Sequence, residues 1–195
     1  MIVNIPFQKG ATYHVYNRAN GTDRMFCNAG NYFYFMRKYH EYMGQLWDTH
    51  VYCLMPTHFH LLISVKPQQG DEDDLARKCS QAFSNFANSY AQAFNKQQFR
   101  HGSLFSPNFR RKEVDSIEYL KTAICYIHCN PVKDGLVSAP DDWAHSSYNA
   151  IADGPNTIFG LDPVISVFGS RSEFLRQHGD FDRSFDLDLT LKKAS

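Results

Sequence analysis

Three features of the sequence predict an α+β fold in which helices cover one face of an antiparallel sheet. The segments Thr12–Arg18 (TYHVYNR), 46–55 (LWDTHVYCLM) and His58–Val65 (HFHLLISV) are rich in β-branched and aromatic residues, as strands are. Aromatic residues recur at three- and four-residue spacing over 31–43, and an apolar stripe runs from Leu75 to Phe94, as in helices with one buried face. The two patterns alternate without the long crossovers of a parallel sheet.

In order, the first strand closes at Asn20-Gly21, a turn pair. Tyr32, Phe33, Phe35, Met36, Tyr39 and Tyr42 then mark a helix that Gly44 ends. Pro56-Thr57 separates two antiparallel strands. Acidic residues at 71–74 stand where the next helix begins, the end that favours negative charge. Leu75, Cys79, Ala82, Phe83, Phe86, Tyr90 and Phe94 trace its buried face. A short strand fits 108–114 (NFRRKEV). Asp115 or Ser116 can cap a last helix, expected to end near Asn130 because Pro131 disfavours helical geometry before it. Strand, helix, two strands, helix, strand, helix is most simply a ferredoxin-like sandwich. Residues 1–150 read as one catalytic domain and 151–195 as an irregular, partly helical C-terminal extension packed on it, with a helical stretch near 171–178.

Composition narrows the function. At 195 residues with 43% apolar and 21% charged residues, the chain can bury one substantial core and is not a disordered chain. Twenty basic residues balance twenty acidic ones, against a protein that merely coats nucleic acid. No apolar run is long enough for a membrane span and the first ten residues do not read as a signal peptide, so a soluble cytoplasmic protein is expected. Five cysteines without a CxxC pair read as buried free thiols rather than as disulfides or a zinc ribbon.

Two places could carry chemistry. In His58-Phe59-His60, strand alternation sends both imidazoles to one face, where they fit a shared divalent metal; the plainer reading of the triplet alone is two ordinary histidines beside a turn. In the helix ahead of Pro131, Ile117, Leu120, Ile124 and Ile127 mark the core face, while Tyr119, Tyr126 and Asn130 cluster outside it. Tyr126 and Asn130 are four apart, so one turn stacks a phenol beneath an amide. A metal beside a tyrosine hydroxyl is what phosphodiester cleavage by a tyrosine nucleophile requires.

MPTHFHLLI resembles the histidine-hydrophobic-histidine (HUH) motif of single-tyrosine transposases, and YIHCNPVKDGLV is similar to the tyrosine helix of the REP-associated tyrosine transposases. TYHVYNRANG, GSLFSPNFRRKEV and WAHSSY resemble that group too, in the same order. The likeness covers roughly residues 10 to 150. It implies a metal-dependent single-strand DNA endonuclease and strand transferase acting on hairpin-bearing strands, through a 5′-phosphotyrosine link and a free 3′-hydroxyl. His58 and His60 are implied as metal ligands, Tyr126 as nucleophile and Asn130 as a third metal-site residue, with Mg²⁺ or Mn²⁺ as the ion. Two positions depart from the pattern: Thr57 where many relatives carry Asn, and Asn130 where the wider group often uses Gln.

Between Lys96 and Lys133 there are seven Lys or Arg against three acids, a local net charge of +4. Arg110, Arg111 and Lys112 lie just before the tyrosine helix, and with Arg18 they are candidates for the phosphate backbone. Tyr13, Phe105 and Phe109 are candidates for stacking on bases. The alternatives are a non-cutting reader of structured DNA or RNA and, more distantly, a zinc site joining the histidines to Cys125 or Cys129. Many relatives in the wider group are dimers, which leaves a homodimer open.

Overall fold

The computed structural model describes residues 5–68, 70–154 and 163–181. Its elements are β1 (Thr12–Arg18), α1 (Ala29–Met43), β2 (Trp47–Leu54), β3 (His58–Val65), α2 (Glu72–Gln97), β4 (Arg110–Glu113) and α3 (Ile117–Lys133). A 3₁₀ turn (Pro140–Asp142) and three short helices follow: α4 (Tyr148–Ala152), α5 (Pro163–Phe168) and α6 (Arg171–Gly179). The strands form one sheet in the order β2-β3-β1-β4, and β1 is antiparallel to both neighbours. Reciprocal backbone bonds between Met55 and His58 close the β2–β3 hairpin. The expected ferredoxin-like topology is therefore present: β1 and β2 run parallel with β3 between them, which obliges α1 to cross over. No described helix is long and apolar enough to cross a membrane.

By its contacts the chain divides into two units, Met1–His50 with Leu54–Val114, and Val51–Cys53 with Asp115–Ser195. In the first, cross-strand register puts Tyr13, Val15 and Asn17 opposite Ile63, Leu61 and Phe59, so these six share a face. Helices α1 and α2 pack on it. The Phe59 ring lies 5.2 Å from Phe35 and 6.2 Å from Phe83, and Phe35 meets Phe86 edge-on at 4.9 Å. Each such buried ring contributes about 1.5–3 kcal/mol by leaving water. Local chemistry sets the helix starts. Asn28 and Asn31 form a reciprocal capping box at α1, and the Asp71 carboxylate accepts the Asp74 N–H at α2.

In the second unit α3 departs from expectation in two ways. Ser116 caps it, its hydroxyl accepting the Tyr119 N–H, but the helix continues through Pro131 to Lys133. Proline forfeits one hydrogen bond near the end of a helix, and here Gly135 supplies the stop. At φ +69° it takes the left-handed conformation, Leu136 N–H reaches Pro131 C=O, and Gly135 N–H reaches Val132 C=O, a Schellman closure. Secondly, Ile117 is 48% exposed, whereas every residue from Ala123 to Val132 is buried. Every side of these last turns of α3 is shut off from water, so the wheel's polar side is not a solvent side. The structure adds α4 and α5, too short for periodicity to reveal. Of the expected extension, 155–162 and 182–195 lie outside the described residues.

Candidate functional site

The sheet face opposite α1 and α2 carries the histidines. Register pairs His58 with Arg18, His60 with Tyr16, and Leu62 with His14, and across β1 it pairs Tyr16 with Arg110 and His14 with Lys112. Alternation therefore gathers His14, Tyr16, Arg18, His58, His60, Arg110 and Lys112 on one face, while Phe59 enters the aromatic core. The two imidazole rings stand 5.1 Å apart, edge to face.

Each ring has a partner at Nδ1. His58 Nδ1 lies 3.1 Å from the Thr57 hydroxyl, and His60 Nδ1 lies 2.9 Å from His14 Nε2. Tyr16 packs against His14 and His60 at 4.9 and 5.8 Å. Ligation by either histidine would then run through Nε2, and two imidazoles on one face fit a divalent transition ion. Among the described residues no group of three or more His, Cys, Asp or Glu is arranged to hold a metal. The pair therefore needs amide, phosphate or water oxygens to complete a shell. Burial, helped by the Lys112 charge, drives His14 down to a pKa of about 3, so it is a neutral partner to His60 at any ordinary pH.

Arg18 and Lys112 are exposed on this face and Arg110 is half-buried. Two other sequence candidates turn the opposite way. Tyr13 is fully buried against Phe7, and its hydroxyl donates to Pro6 C=O. Arg111 lies over the Phe7 ring at 4.1 Å and its Nε–H donates to Ile5 C=O; burial lowers its pKa. Strand alternation splits the three basic residues of β4 between faces, and Arg111, half-buried, turns to the side of Phe7 and Ile5. Sequence reasoning passed over His14, although its two-residue spacing from Tyr16 was visible in TYHVYNR.

The second unit holds Tyr126 and Asn130, one turn apart on α3 and both buried. Asn130 Nδ2–H donates to Tyr126 C=O at 3.1 Å, so any ligation by this amide must use Oδ1. The Lys133 ammonium lies 5.0 Å from the centre of the Tyr126 ring. The neighbouring thiols face elsewhere. Cys125 Sγ approaches His178 Nδ1 at 3.8 Å and Cys129 Sγ approaches His178 C=O at 3.7 Å. Four of the five cysteines are buried and all are free, with Cys27 exposed, which corrects the expectation of burial at that one position. Burial pushes the Cys125 thiol up to about 12. The histidines and the tyrosine thus sit on different units, each held in place by its own neighbours.

A histidine pair on a ferredoxin-like sheet, followed in the chain by a helix with tyrosine one turn before an amide, is the order of features found in the single-tyrosine class. Comparison with known proteins sharpens this. The chain is 28% identical over 107 residues to the "Putative REP-associated tyrosine transposase" of Haemophilus influenzae, a match covering 52% of this chain and 59% of that protein. The chain thus matches about three fifths of the curated relative's length. Its fold is similar to that of a REP-associated tyrosine transposase solved bound to a REP hairpin, with a TM-score of 0.60 at 17% identity over 79% of this chain and 86% of the other. No family model matches. The resemblance to REP-associated tyrosine transposases read from the motifs holds in both comparisons, and the structural one establishes the fold.

Proposed function

We propose that the protein is a metal-dependent endonuclease and strand transferase that cuts hairpin-bearing single-stranded DNA through Tyr126, as a member of the REP-associated tyrosine transposases. The observation that carries this reading is the His58–His60 pair, side by side with both Nδ1 atoms engaged. That arrangement sits on the fold of a transposase solved with a hairpin.

Mg²⁺ or Mn²⁺ bound by Nε2 of His58 and His60, with Asn130 Oδ1 as a further donor, would polarise a non-bridging phosphate oxygen and offset charge developing at phosphorus. His14 sets the tautomer. If His60 is to ligate through Nε2 it must carry its proton on Nδ1 and donate it to His14 Nε2, and only an unprotonated His14 can accept. Thr57 plays the same part for His58, so its hydroxyl does orienting work at a position where many relatives carry an amide. Arg18, Arg110 and Lys112 share the histidine face and hold the sugar–phosphate backbone. Tyr126 Oη attacks phosphorus. One P–O bond forms to the phenol and the P–O3′ bond breaks. The phenol proton passes to solvent or to the departing oxygen, leaving a 5′-phosphotyrosine link and a free 3′-hydroxyl.

The second reading, a reader of structured nucleic acid that does not cut, draws on the burial of Tyr126, which is 4% exposed. A denaturing gel separates the two. Labelled hairpin-bearing single strands are incubated with Mn²⁺ or Mg²⁺ and wild-type protein, Tyr126→Phe or His58→Ala. A protease-sensitive shifted band that needs metal, Tyr126 and His58 is the expected result. Hairpin binding with no such band in wild type would favour the non-cutting reader.

A further inference from the structure

The outer side of α2 carries a feature that the sheet-face site does not use. A cleft of about 770 Å³ opens between α2 and the segment 102–109. Ser80, Ser84, Asn88 and Gln92 line its helical wall at successive four-residue steps, about 6 Å apart along the axis, and Lys96 follows at the next step. A second hollow of about 470 Å³, bordered by Lys96, Phe99 and His101, shares Gln92, Asn95 and Gly102 with the first. In a chain with zero net charge, the residues lining the two hollows include Lys96, Arg100, His101 and Arg111 and no Asp or Glu.

At the end of this surface stands Phe99. It is 93% exposed and its φ is +51°, a left-handed conformation unfavourable to a residue with a Cβ. It occupies the position past α2 where helices usually place glycine. Arg100 N–H closes back on Asn95 C=O at 3.0 Å. The segment around Phe99 is pinned on both sides. The Arg100 guanidinium donates to Asn95 Oδ1 at 2.6 Å and pairs with Asp23, and Asn95 Nδ2–H donates to Gly102 C=O at 2.9 Å. The backbone that carries this large ring is thus pinned, while the ring stands in water, packed in no core. That is the description of a preorganised contact surface.

We infer that this cleft and Phe99 form a second binding surface, for an unpaired stretch of single-stranded DNA. Phe99 stacks on a base, Lys96 meets a phosphate, and the hydroxyl and amide stripe of α2 hydrogen-bonds base edges. A neutral hydrogen-bonding wall with Lys96 at its end and one exposed aromatic suits a polyanion with flat polar bases. The inference rests on the nuclease reading only for the choice of DNA as the polymer.

The test is fluorescence anisotropy without divalent metal, so that cutting plays no part. The probes are labelled oligothymidine, oligoadenosine, their duplex, and oligouridine as the RNA arm. The proteins are wild type, Phe99→Ala, Phe99→Trp and the double variant Asn88→Ala/Gln92→Ala. We expect tighter binding of single strands than of duplex, a loss of about 5- to 100-fold in Phe99→Ala, the range of one base–aromatic stack, and near wild-type binding in Phe99→Trp. The double variant should reduce the preference between oligoadenosine and oligothymidine. Equal binding by wild type and Phe99→Ala, no single-strand binding by wild type, or tighter binding of RNA than of DNA would overturn the proposal. Single-strand binding that depends on Phe99 in a protein that never nicks would sink the nuclease reading and leave this surface standing.

Discussion

Each unit of the molecule contains a buried pair of histidines bonded at 2.9 Å, and the two pairs behave differently. In the second unit, His178 Nδ1–H donates to Phe174 C=O at 2.7 Å. His178 Nε2 must then accept from His128 Nδ1–H, and His128 Nε2 accepts from the Ser147 hydroxyl at 2.9 Å. Ser147 Oγ in turn accepts the Tyr52 N–H. The Phe174 carbonyl fixes the proton order of both rings, and Ser147, whose hydroxyl also lies 3.3 Å from Tyr52 C=O, ties the far end to the main chain. In the first unit, His14 and His60 form a similar bond, but His60 continues along its strand to half-exposed His58 and is flanked by Arg18, Arg110 and Lys112. The same interaction closes a structural relay in one place and, on the proposed reading, would orient a metal ligand in the other. What distinguishes them is where the network ends, in backbone or beside a cationic surface.

Disrupting the closed relay should have the largest effect on stability. His178→Ala removes the ring that touches Phe174 at 4.1 Å and strands His128 Nδ1–H in the interior. A loss of about 3 kcal/mol is expected from cavity and unsatisfied donor together. Urea unfolding checks this, and Mn²⁺ affinity of the folded variant should stay unchanged. A variant as stable as wild type would show the relay to be incidental.

The open pair should respond in the opposite sense. His14→Leu removes the acceptor for His60 Nδ1–H, and Mn²⁺ affinity measured by calorimetry should fall about 10- to 100-fold, as for other partners of ligating histidines. His14→Gln, whose amide oxygen can accept that proton, should recover part of the loss. Long-range ¹H–¹⁵N spectra of metal-free protein should show His60 protonated at Nδ1. Protonation at Nε2 in wild type would contradict the assigned role of His14 whether or not metal binds.

Both pairs contribute to acid sensitivity. Burial lowers His178 to about 4 and places His128 well below its ordinary value of 6.5, and His14 lies near 3. As pH falls below 6.5 the unfolded chain takes up protons that the folded chain refuses. Stability is therefore fully present above 6.5 and is lost progressively as pH drops toward 4 and below. Urea midpoints at pH 7 and pH 5 should differ in that direction, and less so in His178→Ala. A midpoint that rises on acidification would refute the neutral relay. The smallest effect is expected at the rim of the open site. Lys112→Ala should leave stability within about 0.5 kcal/mol and reduce the salt slope of single-strand binding by about 0.7, the share of one phosphate contact.

Most of the framework was legible in the sequence because four strands and three helices carry strong two- or 3.6-residue patterns. The end of α3 was not, since a proline near a helix terminus costs little once Gly135 can close the backbone. Ile117 and the all-round burial of Ala123 to Val132 were hidden because a wheel assumes one wet side. Alternation showed that His58 and His60 share a face, and that Arg111 departs from Arg110 and Lys112. It could not say which face the helices cover, so Tyr13 and Arg111 read as facing the histidine side when Tyr13 lies in the core and Arg111 is held against Phe7 and Ile5. His14 needed the β1–β3 register, which depends on pairing across 46 residues. Phe99 gave no periodic signal, because its distinction is a backbone conformation.

The most direct test of the account is peptide mapping by mass spectrometry of protein incubated with Mn²⁺ and a hairpin-bearing single strand. The account predicts a nucleotide adduct on the peptide containing Tyr126, bearing the 5′ end of the cut strand, and its loss in Tyr126→Phe and His58→Ala. An adduct on another residue, or cutting of the same strand by Tyr126→Phe at the wild-type rate, would contradict it.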